Sequence, residues 1–377
     1  MREKLNGAPA ARNSRVEWLR VLCMLMIVAY HYTILGFYEE ELLQSPNKIF
    51  VDLFGMFGKT GTDLFVLISG YYMVEQRFQL RRLLDLLGTV WFYTVGAMLV
   101  FVLLGRVNLS RSAVLDALLP LHSTQYWFVN YYVLMMLFAP FLNVLLHALD
   151  RRQHALLCAL CIMLVTVLPE FLHTYYAPGS LPLFLTLYVC AGYCRLHVRH
   201  EERTARRCLW LACILLGLCV LRAVLTDVVC RRIGDTKHLA NAVAFMGAYS
   251  PFALALGVLL LIAAACRPAA SGRWGARLGP LTFGVYLLHA NGYVSGVLWQ
   301  ELLHTREQTA SPWLPLHALG SVAAIYAAGL LVEALRQASV GKLWKKWTQR
   351  IAPPLERACR RVWDALFGLL KKLFCDA

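Results

Sequence analysis

Ten stretches of apolar residues, each roughly 17–25 residues long, alternate with short polar connections along the chain. They run about 16–37, 49–73, 83–104, 125–147, 154–170, 181–197, 208–228, 240–265, 280–301 and 314–335. Each is too long and too continuously apolar for a strand, and lipid offers no partner to an unpaired backbone group. The pattern predicts an all-α polytopic membrane protein, with about ten transmembrane helices in one bundle over residues 1–337. No internal repeat is visible. Residues 338–377 follow a different rule: GKLWKKWTQR and ERACRRVWDALFGLLKKLF mix Trp, Phe and Leu with Lys and Arg, broken at Pro353 and Pro354. That is a basic amphipathic tail, suited to lying on an anionic inner leaflet.

Composition agrees with this class. Hydrophobic residues make up 59% of the 377 and charged residues only 16%, and the mean hydropathy is +0.55. A soluble domain of that length could not hide so much apolar surface. The formal net charge of +15 does not point to nucleic acid, because the bases cluster between apolar runs. Arg2, Lys4, Arg12 and Arg15 precede the first span; Arg77, Arg81 and Arg82 follow the second; Arg151 and Arg152 follow the fourth. Arg195, Arg199, Arg203, Arg206 and Arg207 follow the sixth, and Arg267, Arg273 and Arg277 the eighth. The intervening loops are poorer in bases, so the positive-inside rule places both termini in the cytoplasm. One loop, 229–239, dissents with Arg231, Arg232 and Lys237. The basic head leads into a full-length span with no small-residue cleavage site, which reads as an uncleaved anchor in a bacterial-type cell membrane. The twelve cysteines lie mostly inside apolar runs, and Cys158 with Cys161 forms a C-x-x-C without a second pair, so no metal site is expected.

Ionisable groups inside apolar runs are costly and mark candidate chemistry. In EWLRVLCMLMIVAYHY, Arg20 and His31 are eleven residues apart, which returns them to within roughly 20° of one helix face and separates them by about 16 Å in depth. Glu17, one turn before Arg20, is spaced to orient the guanidinium. A long anionic cofactor entering from the cytoplasm would meet the cation at the surface and the imidazole at depth. Taken alone, His31 reads equally well as a core histidine bonded to a neighbouring helix.

In GKTGTDLFVLISGYYM, Asp63 lies at about the same depth as His31 and is a plausible partner for it, or one half of a structural ion pair. The Gly-Lys-Thr-Gly run at 58–61 is a candidate helix break. Small residues at Ser69 and Gly70 admit a neighbouring backbone or a slender ligand. Arg81 and Arg82 either set topology or clamp phosphates. The stretch HSTQYWFVNYYVLMMLFAP carries Tyr126, Trp127, Tyr131 and Tyr132 as an interfacial belt. Gln125, Trp127 and Asn130 among those rings also make a sugar-binding surface, second to the belt. In FGVYLLHANGY, His289 with Asn291 nearby is either a satisfied structural histidine or part of the acceptor site.

These pieces, in this order, resemble the acyltransferase-3 family of integral membrane O-acyltransferases. The first span resembles that family's Arg-x10-His signature, and GTDLFVLISGYYM resembles its second-span block, with Val66 and Tyr71 standing where Phe is usual. QYWFVNYYVL resembles the block opening the fourth span, and FGVYLLH the late Tyr-Leu-x-His block. The resemblance covers roughly 15–335. It implies an enzyme that takes an acyl group, commonly acetyl, from acyl-CoA (acetyl-CoA) and esterifies a hydroxyl, with polysaccharides and lipid-linked sugars among the acceptors. On that reading no metal is needed, and His31 is the base or, alternatively, an acyl carrier. Glu17 and Asp63 would serve it, Arg20, Arg81 and Arg82 would hold the CoA phosphates, and Ser69 would line the acyl channel. The competing class is a transporter or flippase for a glycan or small polar solute, to which Arg222 and Asp227 in the seventh span would contribute a charge pathway.

The loop charges make a direct prediction. Reporters fused at Asn47 and near Ser180 should read as external, and one near Arg203 as internal. An external reading at Arg203 would put cytosolic acyl-CoA on the wrong face.

Overall fold

The computed structural model describes residues 13–121, 125–175, 179–267 and 273–374. Arg2, Lys4 and Arg12 of the basic head, and the HST that opens the fourth aromatic stretch, lie outside the described residues. All regular structure described is helical. Among the described residues, seven helices are long and apolar enough to cross a membrane: Ser14–Gly36 (α1), Leu80–Leu103, Trp127–Ala148, Arg151–Leu172, Glu202–Ile233, Thr236–Ala265 and Leu314–Ala338.

The other three expected spans are helical but interrupted or short. Residues 49–73 form Lys48–Gly55 (α2) and Gly58–Met73 (α3), with a break at Met56 and Phe57. Asp63 is thereby the sixth residue of α3, as a break near the Gly-Lys-Thr-Gly run would have it. We number the remaining helices Leu80–Leu103 (α4), Trp127–Ala148 (α5), Ser180–His197 (α6), Glu202–Ile233 (α7), Thr282–His289 (α8), Leu314–Ala338 (α9) and Val340–Phe374 (α10). The stretch 280–301 is divided among α8, a short helix at Gly292–Val297 and a wide π turn at Leu298–Leu302. Asn291 starts that short helix, its side chain accepting from the backbone N–H groups of Tyr293 and Val294.

Helix α1 is central, with α2, α3, α8 and α9 all packed against it. Its closest neighbour is α3, and glycine makes the approach possible. A Cβ at Gly58 would lie 2.2 Å from Tyr30 Cβ, and one at Gly61 would lie 2.7 Å from the Cys23 carbonyl oxygen. Close backbone contact of this kind replaces the hydrophobic drive that lipid removes.

Contacts between loops sort the two ends of the bundle. At the end where α1 stops, Ser45 Oγ donates to the Thr309 carbonyl at 2.6 Å, and Arg231 Nη2 donates to the Ser45 carbonyl at 3.1 Å. At the other end, Arg195 Nη2 donates to Glu75 at 2.6 Å, and Cys266 Sγ to the Arg199 carbonyl at 3.5 Å. Arg231, one of the dissenting bases, is paired with Asp227 at 3.0 Å inside the last turns of α7.

The tail differs from expectation in one respect. It is helical straight through Pro353 and Pro354, as α10. Proline removes an intrahelical hydrogen bond, and here contacts on both sides of the pair clamp the helix to α4. Trp344 Nε1 donates to the Leu84 carbonyl at 3.0 Å, Thr348 Oγ1 to Asp85 at 2.7 Å, and the Leu80 N–H to Glu356 at 2.9 Å.

The α1–α3 contact is testable by adding one methyl group. Gly58→Ala should cost about 1–3 kcal/mol, the usual penalty of overpacking. Gly96→Ala on α4, where a Cβ meets nothing within 4 Å, should be neutral or slightly stabilising. Equal thermal midpoints for the two variants in detergent would show that the helices do not meet closely.

Candidate active site

His31 lies five residues before the end of α1, about 8 Å from that end and about 16 Å from Arg20. It is therefore well off centre along the helix. Next to it, Tyr32 is fully buried and its hydroxyl donates to His317 Nδ1 at 2.9 Å, while His317 Nε2 donates to the Leu303 carbonyl at 2.9 Å. That pair of bonds fixes the rotation of α1 at the depth of His31.

The imidazole of His31 meets a second imidazole. His31 Nδ1 is 2.9 Å from His289 Nε2, and His289 Nδ1 is 2.6 Å from the carbonyl oxygen of Val285, one turn earlier on α8. A carbonyl only accepts, so the proton of His289 must sit on Nδ1 and its Nε2 must accept. His31 Nδ1–H is then the donor between the rings. His31 Nε2 is left unprotonated, and its lone pair has no hydrogen-bond partner among the described residues. This is the tautomer a general base needs, set by a relay from a backbone carbonyl through a neutral ring.

The end of α8 is itself held in place. Tyr126 is completely buried and its hydroxyl donates to the Leu287 carbonyl at 2.6 Å, while Asn291 Nδ2 donates to that hydroxyl at 3.0 Å. Tyr126 is therefore a bundle-core residue, not a member of an interfacial belt. His289 is 0% exposed and occupied by His31 and Val285. Burial removes it from the acceptor surface and makes it the partner of His31.

On its other side His31 faces a cavity of about 110 Å³, shared with Tyr30, Lys59, Thr62, Phe65, Trp127 and Tyr286. Trp127, at the start of α5, is 37% exposed and lines it. Gln125, two residues before it, lies beside Gly292, within 3.5 Å of where a Cβ would stand. Asn130, a turn further along α5, is half-buried. Of the three expected sugar contacts, Trp127 is the one that lines the cavity.

Asp63 is not where equal depth with His31 would put it. Lys59 and Thr62 line the cavity, and Asp63, one residue beyond Thr62, is turned about 100° away around α3. It is buried, and the cation whose charge acts on it is Lys59, one turn earlier. His289 thus takes the position expected for Asp63. Ser69 is also turned away, its hydroxyl donating to the Phe65 carbonyl of its own helix at 2.9 Å.

At the far end of α1, Glu17 is buried and its Oε2 stands 3.9 Å from Arg20 Nε. That is ion-pair range without a hydrogen bond, and both atoms are buried without a hydrogen-bond partner among the described residues. Arg81 Nε pairs with Asp85 at 3.6 Å and borders a groove between α4 and α10. Arg82 donates to Gln76. The arginines of α4 are thus engaged locally, beside the tail helix.

Lys59 is the residue that sequence reasoning passed over. It stands inside the Gly-Lys-Thr-Gly run, where the glycines draw attention as a helix break. Its signal was a lone Lys with an Asp four residues on, both inside an expected span. Its Nζ lies 5.0 Å from the Tyr30 ring centroid and 5.4 Å from that of Trp127.

Comparison with known proteins adds one finding. A family model described as an acyltransferase domain matches residues 13–333. No curated protein and no solved structure matches the chain.

Proposed function

The chain belongs to the acyltransferase-3 family, and from that premise we propose that it moves an acyl group, acetyl in the simplest case, from acyl-CoA to a hydroxyl of a cell-surface polysaccharide or lipid-linked sugar. It does so from the cell membrane. The family makes it a membrane acyltransferase; the observation that supports the finer reading is the His31–His289 pair, which leaves one basic nitrogen on a ring that lines a cavity.

In the proposed reaction the acceptor hydroxyl enters beside Trp127, whose exposed ring offers a stacking face for a sugar. His31 Nε2 takes the hydroxyl proton as the oxygen attacks the thioester carbonyl. The resulting imidazolium keeps its Nδ1–H on His289 Nε2, so the ring does not rotate while charged. His289 supplies orientation without a full negative charge, as an acid would. When the tetrahedral intermediate collapses, the carbon–sulfur bond breaks and His31 returns the proton to the CoA thiolate.

Donor binding falls to the other end of α1. Arg20 and Glu17 carry buried polar atoms with no hydrogen-bond partner among the described residues, which suits a polar ligand that completes them. The pantetheine arm of CoA would cover the remaining distance of about 16 Å to His31. Arg81 and Arg82 are kept as phosphate contacts at the same face, with the groove against α10 as the surface they offer. The transport reading draws less support. Arg222 lies over the Phe245 ring at 3.8 Å and Asp227 pairs with Arg231, so neither opens a charge pathway.

Purified protein in detergent should release CoA from acetyl-CoA, faster with a saccharide acceptor present. His31→Gln should lower turnover roughly a hundredfold to ten-thousandfold, the usual share of a positioned base, with CoA binding unchanged. His289→Gln still accepts from His31 Nδ1 and should lose about tenfold, whereas His289→Leu orphans that proton and should approach the His31→Gln loss. Near-parent turnover in His31→Gln would make the imidazole structural. Separately, Arg20→Ala should weaken CoA binding about tenfold to a hundredfold, one charged hydrogen bond's worth. Unchanged affinity, measured calorimetrically, would remove Arg20 from the donor site.

A further inference from the structure

Lys59 poses an electrostatic problem that the proposed base makes sharper. Its ammonium is held between the faces of Tyr30 and Trp127, at 5.0 and 5.4 Å. Among the described residues it forms no salt bridge within 4.0 Å. The nearby acid, Asp63, lies around the helix and outside the cavity wall. Lys59 and His31 border the same cavity, and the lysine's charge bears on the His31 ring. Aromatic faces attract a cation but do not neutralise it.

A cation beside a general base opposes the base's own job, because protonating His31 would place two positive charges in one apolar cavity. The opposition disappears if negative charge develops between them at the same moment. Acyl transfer supplies that charge. As the acceptor oxygen bonds to the thioester carbon, the carbonyl π pair moves onto oxygen, and the proton moves to His31 Nε2. The cavity then holds an oxyanion with a cation on each side.

We propose that Lys59 is a catalytic residue that donates to the thioester carbonyl oxygen and stabilises the oxyanion formed there. This inference rests on the acyltransfer reading and deepens it. The two aromatic rings hold the ammonium in place before the reaction, so no reorganisation is needed as charge develops. When the intermediate collapses, the electron pair returns to form the carbonyl, the carbon–sulfur bond breaks, and the thiolate takes the proton back from His31. The rival role for Lys59 is to bind an anionic group on the acceptor.

Hydroxylamine separates the two roles. It is small and neutral, so it offers no charge for a lysine to recognise, yet its attack on acetyl-CoA passes through the same oxyanion. With purified full-length protein, hydroxamate formation above the uncatalysed background should fall about a hundredfold to a thousandfold in Lys59→Met, the range for losing one oxyanion donor. Lys59→Arg, which keeps a charged donor, should retain more activity than Lys59→Gln, a neutral donor, and both should exceed Lys59→Met. CoA binding should be unchanged in all three. If Lys59→Met does not stay folded, the Arg and Gln pair carries the test: equal rates for the two overturn the proposal. So does parent-like hydroxamate formation in Lys59→Met, even where transfer to a charged acceptor is lost. A parent protein that forms no hydroxamate and releases no CoA is a distinct result, which removes the acyltransfer reading and this inference with it.

Discussion

An imidazole taken out of water must have its nitrogens bonded or bear a penalty of several kcal/mol, and that constraint organises this bundle. His31 meets it at one nitrogen, donating from Nδ1 to His289, which in turn donates to a main-chain carbonyl of α8. The chain of donors has a fixed direction, because its last member can only accept. Direction is what would let a core histidine act as the proposed base, since it leaves the second nitrogen of a ring that lines the cavity without a proton. The first of these bonds ties α1 to α8 across 258 residues of sequence, and the second, inside α8, sets its direction.

That contact needs α1 to be held firmly on its other side. There α3 comes close enough that glycine is required at Gly58 and Gly61, and the same approach carries Lys59 to the wall that His31 faces. The glycine at 58 and the lysine at 59 therefore serve one arrangement: the first lets the helices touch, and the second uses the touch to place a charge. Tyr30, which packs on Gly58, also supplies one of the rings over Lys59. A methyl group added at 58 would disturb both.

The helices were legible in the sequence because lipid leaves the backbone no other solution, and a run of apolar residues is a local signal. The interruptions were less so. The stretch 49–73 is long enough to span, and hydropathy averages over the two residues where α2 and α3 part. Arg20 and His31 could be placed from spacing alone, since both ride on one straight helix. Their partners could not. Depth along one helix follows from its rise, but how two helices stand against each other depends on their packing. Gly58 meets Tyr30 and Gly61 meets Cys23, so Asp63, five residues beyond Gly58, lies about 8 Å from the level of Tyr30, away from His31 and on another face. His289 was visible as a buried imidazole, yet nothing local pairs it with a residue so far away. The prolines of the tail read as a break because the rule is local, and the clamps that override it reach back to α4.

The position of His31 along α1 bears on the shape of the proposed substrates. The imidazole is about 8 Å from one end of the helix, and the Glu17–Arg20 pair is about 16 Å away toward the other. A site so placed is asymmetric. The reactant from the near end needs little reach and can stay bulky, with Trp127 exposed at the mouth to meet it. The reactant from the far end must be slender and long, with its charge concentrated where the arginine stands. A thioester on a pantetheine arm has that form, and a sugar hydroxyl suits the other side. If acyl-CoA binds at Arg20, the helix therefore serves as a spacer: its length sets how far the acyl group must travel, and its two polar ends decide which reactant approaches from which face.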